Sequence, residues 1–141
     1  MLNNRITPDN INRLNTNEIF VYGSNLAGKH GKGAAKSAYR KFGATLGRCH
    51  GLDNQSYGIP TKDENLKVLP LDRIAKYIKN FLWDASYLPY TFYVTKIGTG
   101  LAGYSNEEIA PLFSGAEKME NVYLPQEFLE IITCKLENDS Q

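Results

Sequence analysis

The chain has 141 residues, 42% hydrophobic and 22% charged, with a formal net charge of +1, which suits one domain with one core and removes the bulk electrostatic case for nucleic acid or an acidic membrane. No stretch approaches the roughly 18 apolar residues of a membrane span, and the polar first ten residues carry no secretory signal, so a cytoplasmic protein is expected. Cys49 and Cys134 lie far apart with no CxxC, and His30 and His50 form no ligand cluster, so two free thiols and no metal or cofactor are expected.

Residues 1–17 are polar and read as loop or a short turn. Glu18 to Tyr22 is a short apolar run stopped by Gly23, read as a buried strand. The glycine-rich stretch Gly23-Ser-Asn-Leu-Ala-Gly28-Lys-His-Gly31-Lys-Gly33 follows. Ala34 to Phe42 reads as a helix ended by Gly43, with small residues that let it lie close to a sheet. The stretch from Ala44 to Asn54 is loop with room for one strand. Ser56 to Ile59 is a strand closed by Pro60, and residues 61–65 are loop. Leu71 to Ala85 is a long amphipathic helix with Leu71, Ile74, Ile78, Phe81 and Leu82 on one face. Thr91 to Ile97 is the clearest strand. It leads into a second glycine-rich stretch, Gly98-Thr-Gly100-Leu-Ala-Gly103-Tyr104. Ser105-Asn-Glu-Glu108 is a capping box, so a helix starts near residue 106. Val122 to Leu124 is a short strand, Gln126 to Leu136 a last helix, and residues 137–141 a disordered tail. Alternating strands and helices predict a single α/β domain over residues 1–141 with a mixed, partly parallel sheet.

Glycine admits backbone N–H groups close to a ligand, and a helix N-terminus adds partial positive charge. Two such strand–loop–helix units predict a cleft for a phosphate-containing molecule. The first loop nearly matches a Walker A motif at Gly23-x-x-x-x-Gly28-Lys29, but His30 stands where Ser or Thr must ligate magnesium. The glycine order is also wrong for a dinucleotide-binding fingerprint, and no acidic residue ends a second strand about 20 residues on.

Three elements together resemble macro domains, the ADP-ribose-binding modules, nearest the branch of DNA-de-ADP-ribosylating antitoxins and related glycohydrolases. They are Phe20-Val-Tyr-Gly-Ser-Asn25 with Gly31-Lys-Gly-Ala-Ala35, then Ile59-Pro60-Thr61-Lys62, then Ile97 to Glu108. The resemblance covers about residues 18–124 and implies a macro-domain-like three-layer sandwich. The Gly-Ser-Asn-Leu-Ala-Gly opening is also similar to small proteins carried by bacteriophages and prophages.

The resemblance implies roles residue by residue. Ser24, Asn25, His30, Gly31, Lys32, Gly33 and Ala34 would wrap the far ribose and its phosphate. Gly98, Thr99, Gly100, Leu101, Ala102 and Gly103 would hold the diphosphate, with Tyr104 near the far ribose. Pro60 and Thr61 would flank Lys62, the lysine that attacks the anomeric carbon in the glycohydrolase branch. A nucleophilic lysine must first lose its proton, which a positive neighbour such as Lys32 favours. The residues alone favour an exposed loop lysine in the charged run Lys62-Asp63-Glu64, and the resemblance brings the catalytic reading level with it. His30 is a second candidate, as general acid/base or phosphate donor, or an ordinary loop histidine. Asn25 is either a ribose ligand or turn chemistry. His50 beside Cys49 lacks a third catalytic partner. Lys29, Lys32 and Lys36 form a basic patch suited to phosphate, to nucleic-acid ends or to solvent.

Two positions depart from the family. Ala102 stands where some glycohydrolases have an Asp after Gly-Leu, so a Lys/Asp mechanism does not carry over. Asp9 lies too far upstream to be assigned the adenine-pairing role. The implied function is binding of ADP-ribose or a related NAD-derived nucleotide, with hydrolysis of ADP-ribosyl linkages on a macromolecule as its enzymatic form. The alternative is a phage-type binder that sequesters an NAD-derived signal to counter bacterial defence.

Overall fold

The computed structural model describes residues 5–139; the expected polar and disordered ends therefore lie partly outside the described residues. Five strands form one sheet: β1 (Glu18–Asn25), β2 (Gly51–Asp53), β3 (Ser56–Lys62), β4 (Thr91–Val94) and β5 (Val122–Tyr123). Their spatial order is β2-β3-β1-β4-β5. β1 pairs in parallel with both β3 and β4, β4 pairs in parallel with β5, and only β2 runs antiparallel. The helices are α1 (Gly33–Lys41), α2 (Leu71–Tyr87), α3 (Asn106–Ile109) and α4 (Gln126–Asp139).

β1 sits mid-sheet and is buried on both faces, which is why its apolar run is continuous rather than alternating. Phe20 and Tyr22 pack with Ala35, Ala38 and Phe42 under α1. Ile19 and Val21 face the other way, into a larger core with Tyr57, Ile59, Phe92 and Val94 of the sheet, Ile74, Ile78 and Phe81 of α2, and Phe128 and Ile132 of α4. Helices thus cover both faces, and the architecture is an α/β three-layer sandwich with a mixed, mostly parallel sheet. Each fully buried Ile or Phe contributes roughly 1.5–3 kcal/mol. The alanine face of α1 lets that helix lie close on the sheet, as its small residues predict.

Several boundaries differ from expectation. β1 runs through Gly23 to Asn25, because Gly23 pairs with Ile59 and Ser24 with Pro60. β3 likewise continues through Pro60 to Lys62. Its antiparallel partner β2 reaches only as far as Gly58, so one edge of β3 is free there and a missing N–H is tolerated. β4 ends at Val94 instead of Ile97: the Ile97 N–H turns back to Thr95 O at 2.7 Å. The Ser105–Glu108 capping box forms reciprocally, but α3 lasts one turn before Pro111 draws it into a 3₁₀ turn. α4 continues past Leu136 to Asp139. Among the described residues no helix is long and apolar enough to cross a membrane.

Chain direction makes the cleft. From β1 the chain leaves through α1 on one face, and from neighbouring β4 it leaves through α3 on the other. Adjacent parallel strands whose connections part to opposite faces open a crevice at their carboxyl ends.

Candidate anion-binding cleft

A cavity of about 500 Å³ occupies that crevice. It crosses the ends of β3 (Thr61, Lys62), β1 (Gly23, Ser24, Asn25) and β4 (Thr95, Lys96, Ile97), and takes in both glycine loops. At about 4.8 Å per strand, β3 and β4 are about 10 Å apart. From the first loop Gly31, Lys32, Gly33 and Ala34 line it; from the second, Gly98, Gly100, Leu101 and Ala102 do. The backbone N–H groups of these eight residues have no hydrogen-bond partner among the described residues. Gly33 and Ala34 open α1, whose N-cap, Lys32, supplies no side-chain cap. A helix start with free N–H groups favours an anion.

Charge follows the same pattern. Lys29, Lys32, Lys62 and Lys96 line the cleft, and no Asp, Glu or His is among its lining residues. The chain is nearly neutral, so this is a local concentration of positive charge. Lys96 also pairs with Glu127 at the start of α4, and that pair holds the Glu127 carboxyl below its ordinary range.

Other expected site residues serve the scaffold. Ser24 is buried, and its hydroxyl donates to Cys49 O. Thr61 is buried and its hydroxyl donates to Ser24 O at 3.2 Å, tying β3 to β1 at the cleft floor. The Asn25 amide is spent at both ends: Nδ2 donates to Lys29 O at 2.8 Å, and Oδ1 accepts from Lys29 N at 3.0 Å. This is the turn chemistry open to Asn. Pro60, Thr99, Gly103 and Tyr104 do not line the cavity. Thr99 Oγ1 donates to Lys96 O at 3.0 Å, and Tyr104 Oη to Leu69 O at 2.6 Å.

His30 is placed away from the cleft. Its ring is buried, edge-on to Tyr22 and stacked on Tyr39, with Nε2 2.8 Å from Thr45 O. A carbonyl only accepts, so Nε2 carries the hydrogen. Nδ1 is buried without a hydrogen-bond partner. The ring anchors the first loop to the 44–47 turn from beneath, where Gly28 also packs on Gly47 and accepts its N–H at 2.9 Å. Burial raises the Cys49 thiol above its ordinary value, which opposes thiolate chemistry there. Both cysteines are free, and no metal-ligating cluster occurs among the described residues.

A second cavity, of about 650 Å³, adjoins the first and shares Ala34, Thr95 and Lys96 with it. Asp9, Asn10 and Asn12 of the N-terminal segment line it, with Phe20 below and Gln126 at the start of α4. The segment is held in place by Thr7 N donating to Leu124 O at 2.8 Å and by Leu124 N donating to Arg5 O at 3.2 Å. Asp9 therefore stands at this site despite its distance in sequence from the glycine loops. The one sequence signal for it was the Asp/Asn-rich run at 9–12.

Fold and site together define an α/β sandwich with a cationic, glycine-lined cleft at a topological switch point. No protein-family model matches the chain, and no curated protein or solved structure is significantly similar to it.

Proposed function

We propose that the protein binds ADP-ribose or a related NAD-derived nucleotide, with its diphosphate across the two glycine loops. The observation that carries this is the pairing of free loop N–H groups with four lysines in a cleft without a lining carboxylate. Cationic ligands are repelled by such a lining and neutral sugars gain hydrogen bonds without charge attraction, whereas a diphosphate meets it with charge-assisted hydrogen bonds at both partners. The adjoining cavity suits the adenosine end: Phe20 offers an apolar surface and Asp9 a carboxylate to accept from an exocyclic amine. The macro-domain resemblance of the loops supports the same ligand.

Capture without turnover is the form this cleft supports better. Lys62 lines the β3 end, where the far ribose would lie, so it is the one candidate nucleophile. Neither His30 nor any carboxylate lines the cleft to move a proton beside it. The test is thermal unfolding against rising ADP-ribose, with AMP and ribose 5-phosphate as controls. A ligand at 100 times its Kd adds about 2.7 kcal/mol, a shift of several degrees for a chain of this size. ADP-ribose should act well above AMP. No shift with any of the three refutes the reading. Lys62→Ala then separates the forms, since an enzyme loses turnover and a binder has none to lose.

A further inference from the structure

We infer that Leu66 selects the ligand at the β3 end of the cleft, favouring one that carries a planar heterocycle on the ribose beside Lys62, as a dinucleotide does. This rests on the nucleotide reading above and concerns what lies beyond the diphosphate. Leu66 is an exposed leucine on the cleft lining beside Lys62, at the β3 end, whereas the other exposed leucine of the lining, Leu101, belongs to the second glycine loop. Its backbone is left-handed, with φ 64. A bulky residue adopts that conformation only when its surroundings impose it, and such residues gather at ligand clamps. Asn65, one position earlier, is the residue type that takes this conformation readily, yet the chain puts Leu there.

The imposing surroundings are visible. The Asp63 carboxylate accepts from Asn65 N at 2.8 Å and Lys67 N at 2.9 Å. Asp63 N donates to Lys67 O at 2.7 Å, and Leu66 N to Asp63 O at 3.0 Å. Lys62 and Val68 close the turn as a β-bridge, and Leu69 N donates to Thr61 O at 2.9 Å. The side chain is therefore presented from a fixed turn and not from a loose loop. An alkyl wall offers nothing to a phosphate or carboxylate. It does offer contact to the apolar face of a ring, while Lys62 beside it remains available to the phosphate or ribose. The strand order places this wall at the end of the cleft opposite Lys96 and the second cavity. A ligand with its adenosine in that second cavity thus brings its far ribose, and whatever is joined to it, to Leu66.

The experiment is calorimetric titration of the full chain with NADH, whose dihydronicotinamide ring is uncharged, and with ADP-ribose, for the wild type, Leu66→Asn and Leu66→Met. Asn suits a left-handed backbone, so Leu66→Asn should fold with an unfolding temperature at or above wild type. The wild type should bind NADH about tenfold tighter than ADP-ribose, the scale of one buried apolar contact. Leu66→Asn should abolish that preference and leave ADP-ribose within about twofold, while Leu66→Met, still apolar, should restore it. A wild type without the preference overturns the inference but leaves the nucleotide reading standing. So does a Leu66→Asn protein that keeps the preference, or weakens both ligands equally. Absence of binding by either ligand overturns both.

Discussion

Two glycines in the loops are not needed by the fold, and that makes the ligand-binding reading testable one hydrogen bond at a time. A Cβ added at Gly31 or at Gly100 meets nothing within 4 Å, and neither residue has a left-handed backbone. Both line the cleft with an N–H that has no partner among the described residues. Gly28 is the contrast: its φ is +69, and an added Cβ would lie 2.5 Å from Gly47 Cα. Gly28→Ala should therefore lose about 1–2 kcal/mol to the left-handed backbone and a further 1–3 to overpacking. At roughly 3 °C per kcal/mol that is a fall of about 6–15 °C in Tm. Gly31→Ala and Gly100→Ala should stay within about 0.5 kcal/mol of wild type. If each admits a phosphate oxygen to its N–H, a methyl there costs a charge-assisted hydrogen bond, about 1.5–3 kcal/mol, or roughly ten- to a hundredfold in Kd. Unfolding curves give the first quantity, and titration with ADP-ribose gives the second. The reasoning is refuted if Gly100→Ala unfolds as early as Gly28→Ala. It is equally refuted if both open-space variants bind with the wild-type Kd.

Stability should fall with rising pH above about 10. Burial pushes the Tyr22 hydroxyl up to about 12, helped by Asp53 and Cys49, and Tyr93 reaches about 12 through burial and its bond to Glu18. Tyr57, buried and bonded to Asp84, is raised as well. A raised pKa stabilises fully below the unfolded value near 10 and is lost as pH climbs through the folded one. For Tyr22, which is 2% exposed, the slope is about 1.4 kcal/mol per pH unit between those values. Urea unfolding across that range should show it, and Tyr22→Phe should lessen the slope by Tyr22's share while that of Tyr57 and Tyr93 remains. His30→Phe keeps a ring in place but leaves Thr45 O without its donor, so it should destabilise by about 1–3 kcal/mol. Binding of ADP-ribose by the folded variant should stay within about twofold; full stability with lost binding would instead put His30 in the site.

Elements whose causes are local were legible in the sequence. The Ser105–Glu108 box was readable because both partners lie within one turn, and the alanine face of α1 because a small-residue stripe needs no distant information. The two loops were readable as a shared cleft because each follows an apolar strand and precedes a helix. What failed to show depends on pairing across the chain. Gly23 and Pro60 look like strand stops until they are found opposite Ile59 and Ser24. His30 looks like a loop histidine facing a ligand until Tyr22, Tyr39 and Thr45 close around its ring. The second cavity needs residues 5–12 laid beside Leu124, a contact between opposite ends of the chain that no periodicity announces. Leu66 was hidden for a related reason. Only the folded turn around Asp63 reveals that leucine, and not Asn65, takes the left-handed position.

The distribution of charge bears on the proposal that this cleft binds without turnover. Contacts between the loops and a diphosphate would be the same before and during any reaction at the ribose. Such uniform binding lowers Kd without lowering the barrier to chemistry. Acceleration needs groups that act on the reacting carbon or on the departing proton. Lys62 is the one amine lining the β3 end of the cleft, and the second loop lines it with Ala102 and no carboxylate. On the proposed reading, the four lysines and the free N–H groups would concentrate the site's free energy on the phosphates. Leu66, with an alkyl side chain, would add discrimination at the far end of the ligand and has no proton to supply. A cleft built this way is suited to holding a nucleotide tightly at low concentration, and its measured Kd should move far more with Gly31 and Gly100 than any rate moves with Lys62.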